Sequence, residues 1–147
     1  MSPIQEFEDY LKQGIANERT PDPALARSLR KESEETIEVI QEYIEKIGVH
    51  DKNANHIIKN SYDALMARVR AEMALTGYTT SGPGAHEAEV AFLSKKGFNN
   101  HDVEFANQLR YFRNRILYDG KSFDAAYARK VLAFTDKILK KLNGKQQ

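Results

Sequence analysis

The segment RNRILYDG at residues 113–120 places an Arg-Asn pair in a stretch that otherwise has the spacing of a buried helix face. Leu109, Arg113 and Ile116 fall within one arc of a helix that turns about 100° per residue. A guanidinium keeps its proton in a protein, so an arginine among leucine and isoleucine needs an anionic or hydrogen-bonding partner. Arg113 and Asn114 therefore predict a functional site or an interface.

A structural interpretation of Arg113 stands beside the functional one. A carboxylate on a neighbouring helix, such as Asp63 or Glu72, could pair with this arginine and fix the register of the helices. On that interpretation the arginine belongs to the core and binds no ligand.

The same helix carries a second face of amides and phenols. Its members follow one another at spacings of four, three and four residues: Asn107, Tyr111, Asn114 and Tyr118. Each can form hydrogen bonds, and the tyrosines add flat surface, which suits a second subunit or a nucleotide base. The alternative is that the tyrosines only cover an apolar edge and keep their hydroxyls in water.

Arginines on this helix are interleaved with aromatic residues, a combination that holds phosphates and stacks bases in nucleic-acid-binding proteins. They are Arg110, Arg113 and Arg115, beside Tyr111 and Phe112. Successive positions on a helix point in different directions, so we do not expect one continuous basic stripe. Arg68 and Arg70, on an earlier helix, could add positive charge nearby.

The four histidines are scattered along the chain at His50, His56, His86 and His101. No two are three or four residues apart, so we predict no helical metal site and no other cofactor. His86 follows the glycine-rich loop TSGPG and could come near Arg113, although helix capping or solvent exposure is its simpler role. That loop lacks the lysine of a phosphate-binding loop.

The overall composition excludes several classes of protein. Of 147 residues, 22 are Lys or Arg and 21 are Asp or Glu, so nucleic-acid binding would have to come from a local patch. The absence of cysteine excludes disulfides and thiolate chemistry. Apolar runs are too short to cross a membrane, so we expect a soluble cytoplasmic protein without membrane contact.

Hydrophobic residues recur at helical spacing along nearly the whole chain, which predicts an all-α, up-and-down helical bundle. We expect four main helices and one short helix within residues 22–142. A loosely packed N-terminal helical arm would precede them at residues 1–21, and a flexible tail would follow at residues 143–147.

Turn and capping residues predict where the elements begin and end. Two long helices, stopped at Gly48 and before Gly77, should lie antiparallel across a short turn. Asn99 or Asn100 should cap the helix that carries Arg113, and the last helix should begin near Ser122. No alternating run is long enough to predict a strand.

These features together resemble the HEPN domain, the higher eukaryote and prokaryote nucleotide-binding family. Its signature is an arginine, commonly followed by asparagine, with a histidine four to six residues further on. Arg113 and Asn114 match the opening of that signature on the penultimate helix, and HEAEVAFLSKKG at residues 86–97 resembles the segment before it. The resemblance covers residues 22–142 and implies a small helical bundle that is usually a homodimer.

The resemblance also implies metal-independent RNA cleavage, which many members perform. An imidazole would move a proton to or from the attacking 2′-hydroxyl or the leaving oxygen, while Arg113 would stabilise charge on the phosphoryl group. This chain has LYDG at residues 117–120, where the histidine is expected. Tyr118 is a poor substitute because an ordinary phenol has a pKa of about 10. Gly120 stands where some members carry a tyrosine that a partner nucleotidyltransferase modifies.

Because the histidine is missing, we expect a catalytically silent, HEPN-like homodimer that binds a nucleotide, RNA or a nucleotidyltransferase partner. The residues of its binding or dimer face would be Asn107, Arg110, Tyr111 and His86. The alternative is a metal-independent ribonuclease that serves as the toxin of a toxin-antitoxin pair. Its catalytic residues would be Arg113, Asn114 and Tyr118.

Overall fold

The computed structural model describes residues 3–144, and the predicted all-α helical bundle is confirmed. Each helix within these residues is too short or too polar to span a lipid bilayer. The elements in chain order are α1 (Phe7–Lys12), β1 (Ala16–Glu18), α2 (Pro23–Ile47), a 3₁₀ turn (Asp51–Asn53), α3 (Ala54–Thr76), β2 (Tyr78–Thr80), α4 (Ala85–Lys95), α5 (Asn100–Asp119) and α6 (Ala125–Gly144).

Helix α3 lies at the centre of the bundle, and α2, α4, α5 and α6 all pack against it. Most of its side chains are therefore buried, including the charged pair Arg68 and Glu72. A helix covered on several sides needs apolar or paired residues around most of its circumference. Polar groups on α3 consequently lie at junctions between helices, where clefts form.

Helices α2 and α3 run antiparallel, as predicted. The Ser33 hydroxyl donates to the Ala64 carbonyl at 2.7 Å, and the Asp22 amide donates to the Ala74 carbonyl at 2.8 Å. The apolar stripe on α2 is only partly covered, because Ile40 is buried but Ile47 is exposed. Helix α2 is thus an outer element of the bundle.

Two short strands are present, and the expectation of no strand is wrong at these positions. β1 and β2 pair antiparallel in the register Ala16 with Thr80. The strands join the N-terminal segment to the chain just after α3, where Gly77 has a φ of +91°. A Cβ at Gly77 would lie 2.6 Å from the Arg19 carbonyl oxygen, so only glycine allows this approach. Three residues are too few for alternation to be visible in the sequence.

The N-terminal arm packs firmly, and the expectation of loose packing is wrong. Phe7 is 1% exposed, and its ring centroid lies 5.2 Å from that of Tyr78 and 5.1 Å from that of Phe92. Tyr10 is also buried. Helix α1 is therefore part of the same hydrophobic core as α4.

Replacing Phe7 with alanine should lower the free energy of unfolding by about 3–5 kcal/mol, because it removes a buried ring and leaves a cavity. Chemical denaturation with the full chain measures this loss. Phe123→Ala is the control, since Phe123 is only partly buried and should cost less. A loss below about 1 kcal/mol for Phe7→Ala would show that the arm is dispensable to the core.

The helix that carries Arg113 begins and ends as predicted. The Asn99 side chain accepts a hydrogen bond from the Asp102 amide at 2.9 Å, and Gly120 ends α5 with a φ of +66°. Helix α6 begins at Ala125 rather than near Ser122, because Asp124 accepts from the Tyr127 amide at 2.9 Å. Of the predicted tail, residues 143 and 144 belong to α6, and residues 145–147 lie outside the described residues.

Candidate functional site

A polar cleft of about 290 Å³ lies where α3, α4 and α5 meet beside α2. Helix α5 supplies adjacent cleft residues because positions three and four apart share a helix face. The lining residues are Glu32, Tyr62, Asp63, Met66, Arg70, His86, Arg110, Arg113 and Asn114. Six of the residues singled out in the sequence therefore come together here: Asp63, Arg70, His86, Arg110, Arg113 and Asn114.

Arg113 pairs with Asp63 across the junction of α5 and α3. Its Nε lies 3.2 Å from Asp63 Oδ1, and its Nη2 lies 3.5 Å from Oδ2. Asp63 is thus the partner that the structural interpretation named, whereas Glu72 pairs with Arg68. The Arg113 side chain is 32% exposed, so it stands at the edge of the core rather than within it. A ligand can reach it.

Arg110 is held more firmly than Arg113. Its Nε donates to Asn107 Oδ1 at 2.9 Å, and its Nη1 lies 3.4 Å from Glu87 Oε1. Asn107 is buried inside its own subunit. The sequence predicts Asn107 on a face for a second subunit or a base, but in the structure its side chain orients Arg110 toward the cleft. A buried amide cannot also serve as a contact surface.

His86 enters the cleft from the first turn of α4. Its Nδ1 lies 3.2 Å from Glu89 Oε1, one helical turn further on, and the imidazole is 67% exposed. The contact with the Glu89 carboxylate uses Nδ1, so Nε2 is the ring nitrogen that can face solvent or a ligand. The expected solvent exposure is correct, but the same side chain also lines the cleft that holds Arg113.

Glu89 connects three elements at the cleft wall. It is 5% exposed, and Arg70 Nη1 lies 3.6 Å from its Oε1. The Thr80 hydroxyl, on β2, donates to its Oε2 at 3.3 Å. A carboxylate held on both oxygens has a fixed position, so it can in turn orient the ring of His86.

Tyr62 closes the buried end of the cleft. Burial raises the pKa of its phenol well above the usual value, and the negative charge of Glu89 raises it further. The hydroxyl therefore stays protonated throughout the physiological pH range and can donate a hydrogen bond, but it cannot act as a general base.

Tyr118 and Arg115 lie outside the cleft. Tyr118 is 80% exposed near the end of α5. Arg115 pairs with Asp119 at 3.0 Å, and its guanidinium carbon lies 5.6 Å from the centre of the Tyr111 ring. The prediction that the arginines diverge thus holds for Arg115, whereas Arg110 and Arg113 share one cleft.

The charges of this cleft are closely balanced. Arg70, Arg110 and Arg113 each have a carboxylate partner, in Glu89, Glu87 and Asp63 respectively. Glu32 adds a further carboxylate to the lining. An anionic ligand would therefore have to compete with these carboxylates for the arginines, and its affinity should be sensitive to salt. Among residues 3–144, no group of three or more His, Asp or Glu side chains is arranged to hold a metal ion.

Sequence reasoning missed Tyr62 and Glu89 as site residues. Tyr62 has the spacing of a core position, and Glu89 has the ordinary role of an acidic residue near the start of a helix. The signal that could have found Glu89 is its spacing of three residues from His86, which places both on one face of α4.

No protein-family model, no curated protein and no solved structure matches this chain.

Proposed function

We propose that the chain is a HEPN-like protein that cleaves RNA without a metal ion, with the cleft between α3, α4 and α5 as its active site. The observation that carries the proposal is an imidazole, His86, in the cleft that also contains Arg113 and Asn114. The sequence pattern alone predicts a silent protein, because no histidine follows Arg113 on its own helix. A histidine from α4 meets the same chemical need.

The chemistry would use three kinds of group. The His86 imidazole, oriented by Glu89, would accept the proton of the 2′-hydroxyl as that oxygen attacks the adjacent phosphorus. A new bond then forms from the 2′-oxygen to phosphorus, the bond to the 5′-oxygen breaks, and the protonated imidazole gives its proton to that leaving oxygen. Arg113 and Arg110 would stabilise the extra charge on the phosphoryl oxygens, and Asn114 would bind a neighbouring polar group.

Replacing Arg113 with alanine should lower the cleavage rate by about 10²- to 10³-fold, because it removes a cation from the developing charge. The assay incubates single-stranded RNA with the full chain in the presence of a chelator. Arg115→Ala is the matched control, since Arg115 lies on the same helix but outside the cleft. Equal activity of the two variants would contradict the proposal.

The change Asp63→Asn also tests the Arg113 cleft, but it is expected to strengthen RNA binding rather than to weaken the protein's activity. It removes the carboxylate that competes for the Arg113 guanidinium, so RNA should bind more tightly to this variant than to the unchanged chain. Tighter binding would show that the ion pair is a competitor for the ligand rather than only a structural link.

A second candidate is the catalytically silent module that binds RNA, a nucleotide or a nucleotidyltransferase partner. The balanced charges favour it, because a pairing carboxylate on every arginine is also what a purely structural network would show. RNA binding without cleavage in the assay above would select this candidate. On either candidate, a toxin-antitoxin role is the biological setting that the family resemblance implies.

A homodimer is part of both candidates, and the exposed end of α5 is the surface that supports it. Tyr118 and Leu117 are both exposed there, close to the half-buried Tyr111 and Asn114. Tyrosine is one of the residues that are enriched at the centres of protein interfaces. Two copies related by a twofold axis would bring their Arg113 clefts near each other.

The double change Leu117→Ser and Tyr118→Ser should convert a dimer into a monomer, as measured by light scattering at micromolar concentration. Leu75→Ser is the control, because Leu75 is 46% exposed against 43% for Leu117 but lies at the end of α3. If the unchanged chain is a monomer, the proposed dimer does not form. If the double variant is still a dimer, the interface lies elsewhere.

A further inference from the structure

A second groove lies between α2 and α6, with α3 as its floor. Its volume is about 330 Å³, and it shares no lining residue with the Arg113 cleft. The apolar part of its wall consists of Ile37, Ile40, Leu132 and Leu139. A volume of this size is enough for a small organic ligand.

Three buried polar atoms in the lining residues have no hydrogen-bond partner. They are Ser61 Oγ, Arg68 Nη2 and Thr135 Oγ1. All three side chains are at least 98% buried. Native proteins leave very few such atoms unsatisfied, since each costs free energy when it is removed from water. Three of them in one groove indicate a missing acceptor.

The guanidinium of Arg68 is already held at its other two nitrogens. Nε donates to Glu72 Oε1 at 3.2 Å, and Nη1 donates to Asn143 Oδ1 at 2.6 Å. Lys96 Nζ lies 3.7 Å from the second oxygen of Glu72. Lys96 therefore competes with Arg68 for this carboxylate. An anionic oxygen is the acceptor that this arrangement favours.

We propose that the groove binds a small monocarboxylate with an apolar tail. The carboxylate would accept hydrogen bonds from Arg68 Nη2 and from the hydroxyls of Ser61 and Thr135, and the tail would lie against the isoleucine and leucine wall. Arg68 Nη2 has almost no exposed surface, so the ligand would enter as Asn143 moves aside. Asn143 is exposed and stands on the last turn of α6, where such a movement costs least.

The charged residues at the mouth of the groove should affect how strongly it binds a carboxylate. Asp136 is paired with Lys140 at 3.0 Å, and Glu34 is paired with Arg30 at 3.1 Å. Glu38 is a further carboxylate in the lining. Its charge repels an entering anion, so Glu38→Gln should strengthen carboxylate binding.

Isothermal titration of the full chain with octanoate tests the proposal, with octan-1-ol as the uncharged control ligand. We expect saturable binding of one octanoate per chain and much weaker binding of the alcohol. The double change Ser61→Ala and Thr135→Val should weaken octanoate binding by about tenfold or more, because it removes two of the three donors. It should leave the melting temperature unchanged or raise it, since neither hydroxyl has a partner to lose.

Three outcomes would overturn the proposal. Octanoate could give no saturable heat, which would mean that the three polar atoms only hold water. Octan-1-ol could bind as tightly as octanoate, or the double variant could bind octanoate as tightly as the unchanged chain. Arg113→Ala should leave octanoate binding unaltered, and a loss of binding in that variant would place the ligand in the other cleft.

Discussion

Replacing His86 with alanine is expected to lower the rate of metal-independent RNA cleavage by about 10²- to 10⁴-fold, the usual contribution of a general acid or base. His86 is the only histidine that lines the Arg113 cleft within the described residues. The loss should appear in the rate at saturating RNA more than in the binding affinity, because a proton-transfer group acts in the transition state.

Adding free imidazole distinguishes a proton-transfer role of His86 from a purely structural role. The His86 ring is 67% exposed, so its removal leaves space that is open to solvent. Free imidazole should therefore restore part of the cleavage activity of His86→Ala and should do nothing for Arg113→Ala. His101→Ala is the control, since His101 is exposed on α5 and lies outside the cleft. Unchanged cleavage by His86→Ala would contradict a proton-transfer role for His86.

Replacing Glu72 with glutamine is expected to lower the free energy of unfolding by about 3–5 kcal/mol. Glu72 and Arg68 are each 2% exposed, and the Arg68 guanidinium would lose its charged partner inside the bundle. Burial lowers the pKa of Arg68, an effect that the charge of Glu72 opposes. A guanidinium nevertheless stays protonated, so the cost of leaving this charge without Glu72 lowers the free energy of unfolding.

The matched control for this prediction is Glu35→Gln. Glu35 also pairs with a cation four residues away on its own helix, but its partner Lys31 and the carboxylate are both largely exposed. An exposed pair of this kind contributes about 0.3–0.5 kcal/mol. Chemical denaturation of both variants measures the difference. Similar small losses for the two would show that the buried pair is not needed to hold α3 in the core.

The fold could be predicted from local signals where those signals are strong. Asn99 and Gly120 define the ends of α5 through a side-chain cap and a positive φ, both of which are properties of single residues. The burial of Phe7 could not be predicted in the same way. Its partners Tyr78 and Phe92 are distant in the chain, and only tertiary contact brings the three rings together.

The candidate site could be predicted only in part for the same reason. Arg113 carries its own signal because a cation on an apolar helix face requires a partner, and Asp63 was one of the two partners expected. The approach of His86 depends on the angle between α4 and α5, which no spacing along the chain encodes. The sequence therefore allows His86 to come near Arg113, but only the packing of the helices brings both residues to one cleft.

Nuclear magnetic resonance signals of the arginine Nε–Hε groups test whether the Arg113 cleft binds the phosphates of RNA. On titration with a single-stranded RNA oligonucleotide, the signals of Arg110 and Arg113 should shift as their pairs with Glu87 and Asp63 are replaced, while the signal of Arg115 should stay in place. Signals of Arg110 and Arg113 that do not move at saturating RNA would contradict the account.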